Sequence, residues 1–162
     1  MRKLLTTTGA MGLLLVGMAV PSPAMAQDPD VEAVELVLMA FAEFAQAKNL
    51  AGMDTLFAPD EWVHIIEGAG VNHGWADYRD HHLAPELDEM ENFRYRYFAI
   101  EPQVRGATAW TPFRYELSAD TERGHAEIEG RGTAVLEKRN GRWVIVHLQT
   151  SSRRKLPGGS GG

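Results

Sequence analysis

An α+β domain is predicted, in which helices from the first part of the chain pack on one face of a curved antiparallel sheet. Apolar residues recur at helical spacing between 31 and 48, whereas in four segments after Asn92 they alternate with polar residues. Asn140-Gly141 lies between two alternating segments and is typical of a type I′ hairpin turn. A chain with helices first and hairpin-connected strands afterwards belongs to the α+β class.

The first 26 residues have the composition of a secretory signal peptide. Arg2 and Lys3 precede an uncharged apolar stretch, and the small residues Ala24 and Ala26 suit a cleavage site. The apolar stretch is short for a membrane span, and two prolines close it. We therefore expect a periplasmic or secreted protein that is cleaved after Ala26 and keeps no membrane anchor.

The remainder of the chain, after the predicted signal peptide, has the length of one domain, which we expect over 27–152. The glycine-rich end has nothing to bury, so 153–162 is predicted to be a disordered tail. The chain has no cysteine, which excludes disulfides, thiol chemistry and cysteine-based zinc sites. Its formal charge of −6 argues against a nucleic-acid partner.

Three elements are predicted in the first half of this domain. A long amphipathic helix should cover about 31–48, with Asp30 as its N-cap. A short helical turn over 53–57 should stop at Pro59. The β-branched and aromatic residues of 62–67 predict the first strand.

A glycine-containing loop over 68–74 and a helix over about 75–83 should come next, with Pro85 limiting or kinking the helix. Gly130 and Gly132 interrupt an alternating pattern, which suggests a sharp bend or a bulge. The four predicted strands centre on 93–98, 113–117, 126–136 and 143–148.

The last predicted strand differs from the others because it is apolar on both faces. Val144 and Val146 lie on it. Two explanations are open: the strand forms a dimer seam, or it is a central strand covered on both sides.

Segment 132–151 consists of a strand, a turn with Gly141, then Trp143, alternating apolar residues, His147 and a serine. This segment and the order of elements over 31–152 resemble the nuclear transport factor 2-like superfamily, specifically its SnoaL-like and ketosteroid-isomerase-like bacterial members. The resemblance implies a cone: a bent sheet wrapped around a helix, with an apolar pocket inside. It also implies a homodimer formed through the outer sheet face. Because the superfamily contains isomerases, dehydratases, hydrolases and pure binding modules, no catalytic residue is carried over.

Histidines are the main candidates for function, because His64 and His147 lie inside apolar strands. Helical spacing places Trp75, Tyr78 and His82 on one face, which should look into the cone. The expected pocket residues are His64, Trp75, Tyr78, His82, Tyr95, Tyr97, Tyr115 and His147.

Three interpretations of the histidines remain open. They fix the helix against the sheet, they perform acid–base catalysis without a cofactor, or they hold a metal. For catalysis we expect His82 or His64 as the base, with Tyr78 and Tyr95 donating to an oxyanion. For a metal, zinc or copper, the expected ligands are His64, His82, Glu86 and His147.

The leading functional hypothesis is the binding of a small, partly apolar molecule, with isomerase-like or hydrolase-like acid–base chemistry as an extension. Two alternatives come from other classes. One is a metal-binding accessory protein of the cell envelope. The other is a dimeric assembly domain without a ligand, in which changes to Val144 or Val146 would break the dimer.

Overall fold

The computed structural model describes residues 28–155, so the predicted signal peptide and the end of the predicted tail lie outside the described residues. Within that range, none of the helices combines the length and the apolar character that crossing a membrane requires.

The first helix, α1, spans Pro29–Gln46 and is capped by Asp28, whose side chain accepts a hydrogen bond from the backbone N–H of Asp30. The predicted N-cap at Asp30 is therefore wrong by two residues, because Pro29 suits the first helical turn, where no N–H is needed. Asp30 instead accepts hydrogen bonds from Lys138 Nζ at 2.6 Å and Trp143 Nε1 at 3.0 Å. These bonds tie the start of α1 to the last hairpin.

The second helix, α2, spans Leu50–Asp54, three residues earlier than predicted. Asn49 caps it by accepting a hydrogen bond from the N–H of Gly52 at 2.9 Å. Asparagine is a favoured N-cap residue, so the helix begins directly after Asn49. The prediction of 53–57 followed the apolar residues that come later in the segment.

The first strand, β1, spans His64–Glu67 and pairs with β2, Gly70–His73. The second strand lies where a loop was predicted. Gly68 makes the tight turn between them at a φ of 59°, which glycine adopts without strain.

The next helical segment continues past the proline that was expected to limit or kink it. It consists of α3 (Trp75–Tyr78), a π-helical turn (Arg79–Leu83) and α4 (Ala84–Glu89). Pro85 lacks the N–H that an α-helix would use at that position, and its ring crowds the carbonyl one turn earlier. A widened π turn just ahead of the proline accommodates both effects and lets the chain continue.

The later strands are β3 (Glu91–Phe98), β4 (Gln103–Arg105), β5 (Thr108–Thr121), β6 (Gly124–Arg139) and β7 (Arg142–Arg154). The seven strands form one curved sheet in the order β2-β1-β7-β6-β5-β3, and β4 pairs with β5. The α+β prediction is confirmed. The sheet is mixed, not purely antiparallel, because β1 runs parallel to β7.

The last strand is central, between β1 and β6. The chain by itself leaves Val144 only 7% and Val146 only 5% exposed, which supports the central-strand explanation over a dimer seam. The strand continues through Arg154, two residues beyond the domain end expected at 152, and Lys155 Nζ then pairs with Glu116 Oε1 at 2.7 Å.

The β5–β6 ladder runs without a register shift past Gly130 and Gly132, so the bulge suggested there is wrong. Both glycines instead make room for aromatic rings on the neighbouring strand, Tyr115 against Gly130 and Phe113 against Gly132. The register shift lies in the β6–β7 pair, where Val135 pairs with His147 and the next residue, Leu136, pairs with Ile145.

The core lies between α1 and the inner face of the sheet. Val34, Leu38 and Phe41 project from α1 at helical spacing and are almost completely buried. Ile145 and Leu148 meet them from the central strand. Farther along the same inner face, the packing opens into a cavity.

Candidate active site

The cavity is enclosed by α1, the helical segment 75–89 and the inner face of the sheet. Its walls are mainly apolar, with Phe41 and Ala45 from α1, Leu83 and Leu87 from the helical segment, and Leu148 from β7. The free volume is about 40 Å³, room for a few water molecules. A larger ligand therefore enters only when lining side chains move apart.

A more spacious groove, of about 680 Å³, lies on the outer face of β5, β6 and β7. Arg114 and Arg131 line it, and it is open to solvent and mostly polar. The groups that could do proton chemistry gather instead at the small inner cavity, so we consider the inner cavity to be the candidate site.

Two tyrosines from β3 form part of the cavity wall. The Tyr95 hydroxyl donates to the Tyr97 hydroxyl at 3.0 Å, which leaves the Tyr97 proton for a group in the cavity. The Tyr97 ring stacks on Phe113 at 4.4 Å, which holds it in place. Burial raises the pKa of both tyrosines well above the usual value, so both remain protonated hydrogen-bond donors.

A carboxylate from the sheet meets a tyrosine from the helical segment at the cavity. Glu67 lies two residues after Ile65 on β1, so both side chains face inwards. The Tyr78 hydroxyl donates to Glu67 Oε2 at 2.9 Å. Burial, and next the charge of Glu67, raise the pKa of Tyr78 well above its usual value. Tyr78 is therefore a donor that orients the Glu67 carboxylate.

The imidazole of His82 links this pair to a second carboxylate. Its Nε2 lies 3.6 Å from Glu67 Oε2 and 3.3 Å from Glu86 Oε1. Its Nδ1 lies 3.3 Å from Asn72 Oδ1. Because the amide nitrogen of Asn72 donates to Asp77 Oδ2 at 2.9 Å, the Asn72 oxygen is the atom that faces the ring. The proton of Nδ1 is therefore committed to Asn72, and Nε2 faces the two carboxylates.

Glu86 completes the cluster, with 48% of its side chain exposed. Burial, and next the charge of Glu67, raise the pKa of Glu86 above its usual value of 4.5. His82 opposes this shift but does not cancel it. Glu86 therefore holds its proton more readily than a solvent-exposed glutamate would.

We expect the variant Glu86→Gln to melt at a higher temperature than the wild type at pH 7. The raised folded-state pKa means that the native protein binds more protons than the unfolded chain, so stability from this group falls as pH rises through that pKa. The advantage of the variant should disappear as the pH is lowered below 4.5. Thermal melts of the variant and the wild type between about pH 3.5 and 8 measure this difference in melting temperature.

The matched control for this prediction is Asp88→Asn on the same helical segment, where an exposed carboxylate is replaced. Its melting temperature should follow the wild type across the pH range. A Glu86→Gln variant that melts below the wild type at pH 7 would show that the carboxylate is a net stabilising partner of His82, contrary to the prediction.

Four residues of the expected pocket lie at the inner site. Tyr78, Tyr95 and Tyr97 line the cavity, and His82 lies at its mouth between Glu67 and Glu86. The inward orientation expected for Tyr78 and His82 agrees with these positions.

Two other expected pocket residues, Trp75 and Tyr115, do not line the cavity but pack against other side chains. Trp75 stacks on Phe57 at 4.2 Å and donates from Nε1 to Asp54 Oδ1 at 2.7 Å, so it anchors the helical segment. Tyr115 lies 5.8 Å, between ring centroids, from Tyr95 and packs over Gly130, behind the cavity wall.

His64 and His147 do not line the cavity, because their neighbours Ile65 and Leu148 do and strand side chains alternate between faces. Burial, and next the nearby His64, lower the pKa of His147. The expected metal set is therefore divided: His82 and Glu86 are at the cavity mouth, and His64 and His147 are on the outer face.

Asn72 and the apolar wall residues of the helical segment were not expected at the site. Gly68 in the two-residue turn and Gly70 at the start of the next strand were the available signal for a hairpin that would bring Asn72 back beside β1. The continuation of the helix past Pro85, which supplies Leu87, had no local signal.

A curved sheet that closes on helices around an apolar cavity, with ionisable groups at the mouth, defines a class of small α+β domains suited to small molecules. The chain belongs to the SnoaL-like domain family, whose profile matches residues 34–154. No curated protein shows significant similarity to the chain.

Solved structures with the same fold are numerous. A nuclear transport factor 2-like superfamily protein from Salmonella enterica is 18% identical, with a TM-score of 0.70 over 82% of this chain and 96% of its own. A hexachlorocyclohexane dehydrochlorinase from Novosphingobium barchaimii is 13% identical, with a TM-score of 0.69 over 80% and 92%. A protein with a cystatin-like fold from Nostoc punctiforme is 16% identical, with a TM-score of 0.67 over 81% and 96%. These likenesses show the fold alone.

Proposed function

We propose that the chain binds a small, partly apolar molecule in the inner cavity and transfers a proton on it without a cofactor. The observation that carries the proposal is the carboxylate of Glu67, held by the Tyr78 hydroxyl at 2.9 Å at the edge of an apolar cavity. A carboxylate oriented beside apolar walls is suited to accept a proton from carbon.

In the proposed step, the Glu67 carboxylate takes a proton from a carbon next to a carbonyl group. The electron pair of the C–H bond moves towards the carbonyl oxygen, which receives a hydrogen bond from Tyr97. His82 then exchanges the captured proton through Nε2, which lies 3.6 Å from Glu67. The proton returns to the ligand at another carbon, which gives an isomer. Alternatively, the electron pair held on the enolate expels a leaving group from the neighbouring carbon, and the captured proton passes through His82 to solvent.

Two features support this assignment of roles. His82, expected as a base, has one nitrogen committed to Asn72 and the other between two carboxylates, which suits a proton relay. The structurally similar protein from Novosphingobium barchaimii is a dehydrochlorinase, so elimination chemistry is compatible with this fold.

The proposal predicts that the protein exchanges carbon-bound protons of a small carbonyl compound with solvent. We would incubate a panel of cyclic and aryl ketones in D₂O and follow the loss of their α-proton NMR signals. Glu67→Gln should reduce the exchange rate about 10²–10⁴-fold, because the proton acceptor is gone. His82→Ala should slow it by a smaller factor.

The control for this experiment is His81→Ala, which removes an exposed imidazole next to the relay. It should exchange at the wild-type rate. If Glu67→Gln and the wild type catalyse exchange equally, or if no ketone in the panel exchanges above the solvent rate, the assignment of proton transfer to Glu67 is wrong.

A second candidate function is the binding of a divalent cation at the mouth. One ligand atom from each of Glu67, His82 and Glu86 lies within 4.8 Å of the others. Two carboxylates and an imidazole suit zinc or a similar ion. A metal retained in native mass spectra of the wild type and lost in Glu67→Gln would favour this function over acid–base catalysis.

The proposed setting is outside the cytoplasm, supported by the signal-peptide composition of the first 26 residues. We also propose that the protein acts as a homodimer, as the family resemblance implies. Native mass spectrometry of protein purified from an exported fraction measures the mass of the mature chain, which locates its N-terminus, and the mass of the assembly, which gives the number of subunits.

A further inference from the structure

Six histidines divide into two groups by their partners. His81, His82 and His125 each lie within 3.3 Å of at least one carboxylate oxygen. His64, His73 and His147 have no carboxylate within ion-pair distance of their rings anywhere in the range 28–155.

The sheet places the three histidines of the second group side by side. His64 on β1 pairs in register with His73 on β2 and with His147 on β7. Residues directly opposite each other on neighbouring strands project from the same face. The three imidazoles therefore form one row across three adjacent strands, which we call the histidine row.

The histidine row is separate from the inner cavity. Ile65 and Glu67 of β1 and Leu148 of β7 face inwards and line the cavity, so the alternating neighbours His64 and His147 face outwards. His73 is exposed and the other two are half-buried. In the single chain the row is thus accessible from the side of the sheet away from the proton-transfer groups.

We propose that the histidine row, His64, His73 and His147, binds one transition-metal ion of the kind that prefers imidazole, such as Zn²⁺ or Cu²⁺. Three nitrogen donors without a carboxylate suit these ions and not Mg²⁺ or Ca²⁺. This proposal is independent of the proposed function at the inner cavity.

The geometry is compatible with a shared ion after side-chain rotation. The rings of His64 and His73 have centroids 4.8 Å apart and cross at 75°, an edge-to-face arrangement in which they do not stack in parallel. Zinc–nitrogen bonds of about 2.0–2.1 Å require ligand atoms roughly 3.3 Å apart. Strands about 4.8 Å apart bring the outer rings within that reach when they turn towards the central His64. His73, exposed on the edge strand, is free to make that turn.

The chemistry also predicts how the site is completed. Three imidazoles occupy three positions of a tetrahedral ion, and the solvent-open face leaves the fourth for water or an external ligand. Since only neutral imidazole binds metal, affinity should fall as the pH is lowered and protons compete with the ion for the ring nitrogens.

The test is titration of the full tag-free protein with ZnCl₂ and CuCl₂ at pH 7.5, by calorimetry and native mass spectrometry. The wild type should bind one equivalent at the row. His73→Ala should weaken binding about tenfold or more, and it alters only an exposed edge position, so folding is preserved. His64→Ala, which removes the central ligand, should abolish the one-equivalent step. With Cu²⁺, the electron paramagnetic resonance spectrum should show nitrogen couplings that diminish in both variants.

Controls separate the row from the other histidines. His125→Ala removes an exposed imidazole at the far end of β6 and should bind as the wild type does. His82→Ala should also retain the ion. Loss of binding in His82→Ala with retention in His64→Ala and His73→Ala would assign the ion to the cavity mouth and overturn the proposal. A wild type without a saturable one-equivalent step would overturn it as well.

Discussion

Replacing Gly132 with alanine should destabilise the domain by about 3 kcal/mol, a large share of the roughly 5–15 kcal/mol by which domains are ordinarily stable. A Cβ at this position would lie 2.6 Å from the backbone oxygen of Gln149 and would collide with the ring of Phe113. The backbone oxygen belongs to the central strand and is not free to withdraw. Phe113 is itself only 2% exposed, and its ring is held by stacking on Tyr97 at 4.4 Å between centroids.

The measurement for this prediction is urea unfolding followed by circular dichroism. Gly70→Ala is the matched control, since Gly70 is also a strand glycine but its added Cβ would meet only the backbone oxygen of Glu67 at 3.4 Å. The control should change the free energy of unfolding by no more than about 0.5 kcal/mol. Equal urea midpoints for the two variants would mean that the packing of the Phe113 ring does not require a glycine at position 132.

Leu38→Ala should lower the free energy of unfolding by about 3 kcal/mol. Leu38 is completely buried, where α1 meets the inner face of the sheet. Removing most of its side chain gives up apolar burial and leaves a hole that a packed core fills only partly. The loss should show as a shifted urea midpoint with an unchanged slope, since the surface exposed on unfolding hardly changes.

The same helix offers a control of identical chemistry. Leu36 is 55% exposed, so Leu36→Ala removes the same atoms from a position that contributes little to the core. Its free energy of unfolding should stay within about 0.5 kcal/mol of the wild type. If both leucine variants lose the same stability, the packing of α1 against the sheet is not as described.

The agreement between sequence and structure is best where a pattern is local. The helical spacing of Val34, Leu38 and Phe41 predicted a buried face of α1, and all three are in the core. Asn140-Gly141 predicted the turn that joins β6 to β7. In both cases the side chains that decide the conformation are near neighbours along the chain.

The site was harder to predict, because it depends on partners that are distant in sequence. Its polar groups come from β1, β2, β3 and the helical segment between β2 and β3, and the helix continues past Pro85 only through a π turn. Aromatic and histidine residues were chosen as candidates by residue type. Their distribution between the cavity and the outer face was open, since one residue of register exchanges the faces of a strand.

Local information in the chain is sufficient for the fold class, for the main helix and for the long strands, because periodicity and turn chemistry act over a few residues. The parallel pairing of β1 with β7 joins residues more than 80 positions apart. That pairing directs Glu67 into the cavity and aligns His64 with His147 on the opposite face. Long-range pairing is set by the packing of the whole sheet against α1, so only the assembled structure assigns these side chains to their two sites.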